Sequence, residues 1–430
     1  MRSDFVSVPR IAAPLLSVQF VPPFVLYFGF GTSLAEGTAV AIFITLSIFV
    51  AGEAVALRRL GRPLSFFDFR PFLVAAVCVL LVVPHAAVAD YFQTIALARL
   101  LKTIPFLFLL IAAAIALGDL LLKASEREVK ATLSLSFGVL CVALSLRLTG
   151  MEPRSDFYGK PIFPFSETSH FVLAFVPVLL YRCATSSRRA ALGWLSFSFA
   201  IALGLESMTL LIASLLIAIV CRRTLLVTLG GLVIGLGVIP FQLDYFLSRL
   251  DPSNSSDNIS SLVYVQGWQL LIEAMSQTFG WGVGFQQLGQ HGTSAAAADT
   301  LLNLLTGSGL DALNLTDGSF VFAKLTGEMG VFGFLLSVVL VIAAVHSIRV
   351  LRWVGRRIPE RSIIVFARCV LISFMVDMFI RGTGYFAGST FLAITACSIL
   401  LANCGATAFF SKARAVRRSA KTLAGAPTYS

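Results

Sequence analysis

Long apolar stretches alternate with short polar segments along most of the chain. A helix needs about 20 apolar residues to cross the roughly 30 Å hydrocarbon core of a bilayer, and twelve stretches approach that length. They cover, in approximate bounds, residues 11–33, 37–57, 71–90, 104–122, 131–149, 169–183, 190–205, 207–221, 224–243, 319–347, 363–380 and 389–410. The pattern predicts an all-α, polytopic integral membrane protein with about 12 transmembrane helices, in which residues 1–430 form a single membrane domain.

The seventh and eighth stretches are shorter than most of the others. They meet at Leu205-Glu206-Ser207, where a charged residue interrupts the apolar run. The pattern is therefore compatible with two short spans or with one long or broken element.

The composition agrees with a membrane protein and excludes several soluble classes. Hydrophobic residues make up 57% of the chain and charged residues 13%, and the mean hydropathy is +0.88, whereas soluble proteins carry about 25% charged residues. The seven cysteines show no CxxC spacing, so neither a zinc site nor a disulfide framework is predicted. The sequence also lacks the phosphate loop of ATPases, the HExxH motif of zinc proteases and the DxD motif of metal-dependent sugar transferases. We therefore expect no metal and no cofactor.

The distribution of Lys and Arg predicts the orientation of the chain in the membrane. With the N-terminus inside, 24 of the 33 Lys and Arg residues fall on one side of the predicted spans, and cations are enriched in cytoplasmic loops. Both termini are therefore predicted to be cytoplasmic. The net charge of +11 is explained by these loops facing anionic lipid, so we expect the lipid bilayer, and no nucleic acid, as a partner.

Nine cations remain, and all but one of them fall on the outer side or near its interface. The exception is Arg368, and the others are Arg99, Lys102, Arg147, Arg154, Lys160, Arg249, Lys324 and Arg381. Each one singly is compatible with a side chain that extends to the interface. Together they are typical of an anion-binding site.

One outer segment is long, spanning residues 244–318 between the ninth and tenth predicted spans. Apolar residues recur at helical spacing over residues 261–278, which predicts an amphipathic helix. A glycine-rich turn, Gly280-Trp-Gly-Val-Gly-Phe285, follows it. The chain shows no internal repeat of spans, although many transporters have one.

Three stretches resemble segments of one bacterial superfamily. Phe163-Pro-Phe-Ser-Glu-Thr-Ser-His170 precedes the sixth span and resembles the Glu-Pro-Ser-His motif of O-antigen and exopolysaccharide polymerases, with Thr168 in place of Pro. Residues 264–288 resemble a loop that these polymerases share with O-antigen ligases. Residues 317–320 and 328–333 resemble the start of the helix that follows this loop. The chain is thus similar to the O-antigen ligase–polymerase superfamily. Ligases tend to carry His-Asn where this chain has Asp-Gly at residues 317–318, which favours the polymerases.

The resemblance implies a metal-independent glycosyltransferase that depends on a lipid carrier. It would polymerise undecaprenyl-diphosphate-linked oligosaccharide repeats at the periplasmic face of the bacterial inner membrane, giving an O-antigen or exopolysaccharide. Residues 244–318 would then form a periplasmic loop, and a chain-length regulator would be a further partner. Two alternatives stay open: an O-antigen ligase that transfers finished glycan to an acceptor, and a flippase that transports lipid-linked glycans without chemistry.

The leaving group of such a reaction is a lipid diphosphate, which needs fixed cations when no metal is present. Arginine is suited to this role because it binds phosphate bidentately and stays charged when partly desolvated. Arg154, Arg249 and Arg381 lie on the outer side near spans five, nine and eleven and are the predicted diphosphate ligands. Arg99 and Lys160 are secondary candidates.

The acceptor is a sugar hydroxyl, which needs orientation and a base. Glu167 and His170 lie three residues apart, so on a helix they share one face, and the carboxylate would raise the basicity of the imidazole. They are the predicted catalytic residues. The same segment is also typical of a helix start, where Glu167 would interact with the positive end of the helix dipole.

Further polar and aromatic residues carry open alternatives. Asp317 either caps the tenth span or binds the acceptor sugar, and Tyr385 either stacks on a sugar or anchors the chain at the interface. Lys324 and Glu328 are spaced to pair with each other. The residues near the spans for which the sequence suggests no role are Glu53, His85, Asp119 and Asp377.

Overall fold

The chain folds into a bundle of α-helices, in a computed structural model that describes residues 8–29, 33–61, 67–151, 161–221, 259–290, 320–357 and 360–404. These residues form twelve helices and no strand. The helices are α1 (Val8–Tyr27), α2 (Leu34–Arg59), α3 (Arg70–Phe92), α4 (Leu97–Lys123), α5 (Glu126–Leu148), α6 (Thr168–Thr185), α7 (Arg188–Gly204), α8 (Met208–Val220), α9 (Ile259–Gln277), α10 (Val321–Arg357), α11 (Ser362–Phe379) and α12 (Gly388–Cys404).

Eight of the described helices are long and apolar enough to cross a membrane, namely α1 to α6, α10 and α11. Helices α8 and α12 are apolar but shorter. The predicted class, an all-α multi-pass membrane protein, is confirmed at this level. The ninth predicted span, residues 224–243, and most of residues 244–318 lie outside the described residues, while α9 coincides with the amphipathic helix predicted within that segment.

The two short stretches around Glu206 form separate helices rather than one continuous element. Glu206 adopts a positive φ of 49° between α7 and α8, and Ser207 Oγ accepts the backbone N–H of Leu210 at 3.3 Å. The helices pack side by side, with Ser198 Oγ 2.5 Å from Ser214 Oγ. A left-handed residue and a new N-cap end one helix and begin the next.

Polar contacts between helix termini distinguish two ends of the bundle. At one end, Arg70 pairs with Asp119 at 2.6 Å and Lys123 pairs with Glu53 at 2.8 Å. Arg361 donates to the carbonyls of residues 122 and 124 at the same end. We call this the basic end, because Lys and Arg residues that were predicted to face the cytoplasm, such as Lys123 and Arg361, lie here. We call the opposite end, where α6 begins and α11 terminates, the site end.

Helix α11 is the centre of the bundle. In its apolar window 89% of the residues are buried, against 22% in the windows of α3 and α10. Helices α3 and α10 expose large apolar side chains such as Leu80 and Ile342, which suits contact with lipid tails. Helix α11 packs against α6 and α10, so a residue at its site end is held by several elements at once.

Small residues allow close approaches between helices at two crossings. A Cβ at Gly118 of α4 would lie 2.5 Å from Ser398 Oγ of α12, and a Cβ at Gly388 of α12 would overlap the carbonyl oxygen of Val18 in α1. Such contacts are typical of membrane helices, whose association depends on packing because lipid tails are as apolar as the side chains. They hold α12 against α1 near the site end and against α4 towards the basic end.

Candidate functional site

An ion pair joins the start of α6 to the end of α11 at the site end. Arg381 Nη2 donates to Glu167 Oε2, and Ser169 Oγ donates to the same oxygen at 2.9 Å. Glu167 is the N-cap residue of α6, as its sequence context predicts, but its side chain makes no capping hydrogen bond. The carboxylate instead holds the guanidinium of Arg381, so the predicted catalytic and diphosphate-binding residues are direct neighbours.

The guanidinium controls the ionisation of Glu167. Burial by itself would raise the pKa of Glu167, but the charge of Arg381, helped by His170 and Ser169, lowers it to about 2. Glu167 is therefore a carboxylate across the physiological range.

We expect the stabilising effect of this ion pair to disappear in acid. Because the folded pKa is lowered from 4.5 to about 2, the effect is fully present above about pH 4.5 and is lost as the pH falls towards 2. Half-exposed ion pairs contribute about 1 kcal/mol or less. Thermal unfolding of wild type and Glu167→Gln should differ by a constant small amount from pH 7 to pH 5, and the difference should shrink below pH 4.5. A difference that grows on acidification would contradict this assignment.

His170 lies one turn into α6 and faces a different partner from the one predicted. Its Nδ1 is 3.3 Å from Ser166 Oγ, whereas Glu167 Oε2 contacts Arg381 and Ser169. Glu167 is therefore an electrostatic neighbour of the imidazole, and Ser166 makes the hydrogen bond. The contact of Nδ1 with Ser166 leaves Nε2 for an external group.

The segment from Ile380 to Ala387, which we call the connector, positions Arg381. Asp377, near the end of α11, accepts the backbone N–H of Thr383 at 3.0 Å and the Oγ of Ser389 at 2.5 Å. Thr383 Oγ is also 3.0 Å from Ser389 Oγ. The buried carboxylate thus binds both the middle of the connector and the first turn of α12, and these bonds restrain the backbone that follows Arg381. The sequence showed Asp377 only as an ionisable residue within a span.

A second part of the site forms where α10 is interrupted. Gly330 has a φ of 58° and a ψ of −137°, which breaks the helix after its first turns. Residues 280–288, which we call the glycine loop, cross this break. Val283 N–H donates to Gly327 O at 3.0 Å, and Gly284 N–H donates to Glu328 O at 2.9 Å. The second and third stretches of the family resemblance are therefore in direct contact.

Buried charged residues lie beneath the glycine loop. Glu328 is fully buried and accepts the backbone N–H of Leu288 at 3.4 Å, and the ammonium of Lys324 attracts its carboxylate. Lys324 Nζ also lies 5.4 Å from the centre of the Tyr385 ring. That ring stacks on Phe285 at 5.4 Å. The ring of Tyr385 thus lies between protein groups, and through it the connector contacts both the glycine loop and α10.

Residues of α3 and α4 close the other side of the glycine loop. Arg99 donates to Gln286 Oε1 at 3.3 Å. The imidazole of His85 stacks on Trp281 with ring centres 5.2 Å apart, and Trp281 Nε1 donates to His85 O at 3.2 Å. His85, which the sequence left without a role, holds the glycine loop against α3. A histidine and a tryptophan far apart in sequence give no signal of such a contact.

A small recess opens beside His170. It is lined by α1, α6, α12 and the connector, mostly with apolar side chains. Its polar lining groups come one from each of these four elements and are Gln19, His170, Thr383 and Ser389. The recess is therefore adjacent to His170, the predicted base, and to Thr383 and Ser389, which donate hydrogen bonds to Asp377.

The structure describes five of the nine predicted site residues, and contacts connect all five. Glu167, His170 and Arg381 form one cluster, and Tyr385 joins it to Arg99 through the glycine loop. Among the described residues, no three His, Cys, Asp or Glu side chains are grouped so that they could hold a metal ion. Four predicted residues lie outside the described residues, namely Arg154, Lys160, Arg249 and Asp317.

Comparison with known proteins gives no assignment. No protein-family model, no curated protein and no solved structure matches the chain. The function must therefore be inferred from the site itself.

Proposed function

We propose that the protein polymerises undecaprenyl-diphosphate-linked oligosaccharide repeats into a bacterial surface polysaccharide. The observation that carries this proposal is the contact between Glu167 and Arg381, with His170 beside them and a recess next to the imidazole. A cation for a diphosphate and a base for a hydroxyl thus lie together at one end of a membrane bundle. The motifs that resemble the polymerases meet at the same end.

The proposed reaction transfers a glycan from one carrier to another. The bond between the anomeric carbon of the donor glycan and its diphosphate oxygen breaks, and that carbon bonds to a hydroxyl oxygen of the acceptor sugar. His170 Nε2 takes the hydroxyl proton, and Arg381 stabilises the charge that develops on the diphosphate. Glu167 holds the guanidinium in place and stabilises the imidazolium through its negative charge.

The proposed topology follows the positive-inside rule. The basic end faces the cytoplasm of a bacterial inner membrane with both termini inside, and the site end faces the periplasm. The chain crosses the membrane about twelve times, and residues 244–318 form the long periplasmic loop. A chain-length regulator is proposed to dock on this side.

One observation favours a second candidate, a flippase for the same lipid-linked glycans. Helix α10 is broken at Gly330 and buries Lys324 and Glu328 close to the break, and interrupted helices with buried charges are typical of transporters. The third candidate is a ligase, because the glycine loop belongs to a stretch that resembles a loop found in both the polymerases and the O-antigen ligases. Chemistry and transport leave different products, so glycan analysis separates them.

We expect His170→Ala to stop chain growth while the protein still inserts in the membrane. Loss of a positioned base costs about 10²–10⁴-fold in rate. Electrophoresis of glycans from a strain that lacks the protein, complemented with each variant, should give single repeats outside instead of a long ladder. His346→Ala, in α10 away from the site, is the control and should give the ladder.

Each alternative has its own outcome in the same experiment. Long chains that stay on the carrier would indicate a ligase, and repeats trapped on the inside would indicate a flippase. A normal ladder from His170→Ala would show that this imidazole is not the base.

A further inference from the structure

Two cations near the start of α4 have no carboxylate partner among the described residues. Arg99 and Lys102 lie three residues apart and are neighbours on the helix surface. Arg99 Nη2 donates to Gln286 Oε1 at 3.3 Å, which is a neutral acceptor, and Lys102 is exposed. Neither forms an ion pair with a described residue, whereas Arg381 at the same end of the bundle pairs with Glu167. The described residues therefore leave two positive charges uncompensated here.

The glycine loop holds Arg99 in position. Gln286 is only 5% exposed and has a φ of 62°, which is uncommon for a residue other than glycine and persists where the surroundings fix it. The next residue, Gln287, is also buried, and its Oε1 accepts the backbone N–H of Ala96 at 2.8 Å. Two consecutive glutamines thus bind the guanidinium and the N-cap residue of α4. A guanidinium has five N–H donors, so those that Gln286 does not bind remain for an external anion.

The surface around these cations is apolar and aromatic. Aromatic residues are enriched where a membrane protein meets the lipid headgroups, and the large exposed side chains at this corner are Leu97, Leu101, Tyr91 and Phe279. Asp90, the acid nearest to Arg99 in the sequence, accepts the backbone N–H of Ile95 at 2.9 Å and forms no ion pair. The two cations therefore suit the phosphates of a lipid whose hydrocarbon chain lies in the bilayer.

The proposed reaction needs two lipid diphosphates, and the cluster of Glu167, His170 and Arg381 binds only the one that leaves the donor glycan. The diphosphate of the acceptor carrier stays intact, so it needs cations that bind it but no base. The stack of Phe285 on Tyr385 joins the glycine loop to the connector. Continuous contacts thus connect the arginine at the start of α4 to the arginine of the cluster.

We propose that Arg99 and Lys102 bind the diphosphate of the acceptor carrier. This inference rests on the proposed function and adds the position of the second substrate. Arginine binds a phosphate bidentately, and lysine acts as a compact charge beside it. The prenyl chain of the carrier lies against the exposed leucines of α4, Leu97 and Leu101. The neutral partner Gln286 keeps the charge of Arg99 available, because a carboxylate in its place would compete with the phosphate.

Binding of a short prenyl diphosphate tests the inference without the reaction. The full chain is placed in phosphatidylcholine nanodiscs and titrated with geranylgeranyl diphosphate by calorimetry. We expect two sites in the wild type, one in Arg381→Ala, and one in the double variant Arg99→Ala with Lys102→Ala. In the Arg381→Ala background, Gln286→Glu should weaken the remaining site about tenfold or more, because a carboxylate of nearly the same shape neutralises Arg99.

Two variants in the same background separate a loss of charge from a loss of folding. Lys102 forms no hydrogen bond or ion pair with a described residue, so Lys102→Glu should weaken binding and leave the thermal-unfolding midpoint unchanged. Gln277→Glu is the matched control for Gln286→Glu. It adds the same charge to an exposed glutamine at the same end, which contacts Gln93 rather than Arg99, and it should bind as its Arg381→Ala parent does.

Two further ligands distinguish the sources of the phosphate. Inorganic pyrophosphate should bind more weakly than the prenyl diphosphate, and equal affinity would indicate a site for free anions. Phosphatidylglycerol in the nanodiscs should leave probe binding in place, and its loss would indicate a site for any anionic headgroup. Either result would overturn the inference. Unchanged binding in the Arg99→Ala and Lys102→Ala double variant, or no binding in the wild type, would also overturn it.

The inference and the proposed function can fail separately. If the double variant keeps both sites while His170→Ala loses the glycan ladder, the inference is wrong and the proposed function stands. If the pair binds the probe but a strain without the protein traps repeats on the inside, the polymerase proposal is wrong, and the assignment to an acceptor carrier is wrong with it.

Discussion

Replacement of Arg381 by alanine is expected to remove the long glycan chains while the protein remains folded in the membrane. Arg381 donates to Glu167 at the start of α6 and is held at its backbone by Val376 O. Without the guanidinium, the diphosphate would lose the positive charge that lies close to His170. Removal of one preorganised group of this kind costs about 10²–10³-fold in rate. Glycan electrophoresis from the complemented deletion strain should show single repeats.

A structural effect must be separated from a chemical one, because Arg381 also joins two helices. Arg352→Ala is the matched control: this arginine donates to Ile219 O and joins α10 to α8 at the basic end. It should keep the ladder. The double variant Glu167→Arg with Arg381→Glu restores an ion pair with the charges exchanged and should fold but remain inactive. A full ladder from the double variant, or from Arg381→Ala, would show that the pair serves only to join α6 and α11.

The all-α class and the eight long apolar helices among the described residues could be predicted from the sequence because they depend on local composition. A run of apolar residues specifies a membrane helix whatever its neighbours are, and the amphipathic spacing within residues 261–278 similarly predicted α9. The glycine-rich turn was also predictable: Gly280, Gly282 and Gly284 all adopt positive φ angles, which glycine allows at no steric cost.

The sequence indicated several residues of the site but not the contacts between them. Glu167 and His170 were found through a motif, but their actual partners, Arg381 and Ser166, depend on how α6 packs and turns. Asp377 and Gln19 escaped prediction because a single polar residue in a span shows nothing about its contacts. Pairs such as His85 and Trp281 are 196 residues apart, and only the folded bundle brings them together.

The break in α10 escaped prediction for a different reason. Residues 319–347 have the hydropathy of one continuous span, and Gly330 within it looks like a tolerated helix glycine. Its φ of 58° and ψ of −137° are accessible to glycine and costly for any other residue. The carbonyl of Gly280 accepts the backbone N–H of Val331 at 2.9 Å, so the glycine loop supplies a hydrogen bond where the helix is interrupted.

Gly330→Ala is therefore expected to destabilise the site end strongly. The Cβ would overlap the carbonyl oxygens of Gly280 and Trp281, and the backbone would be strained as well. Either the glycine loop must move or α10 must straighten, and both changes expose the buried carboxylate of Glu328. We expect a loss of about 3 kcal/mol, seen as a thermal-unfolding midpoint lower by roughly 5 °C or more in detergent, together with loss of the glycan ladder.

Gly138→Ala is the matched control for this variant, because Gly138 lies inside α5 and a Cβ there has no neighbour within 4 Å. Alanine should be neutral or stabilise that helix by up to about 1 kcal/mol, and the ladder should persist. If both alanine variants unfold at the wild-type temperature, the glycine loop does not lie against the break as described. If Gly330→Ala is stable but inactive, the break contributes to function rather than to folding, because the loop can then be displaced from Glu328 while the bundle stays intact.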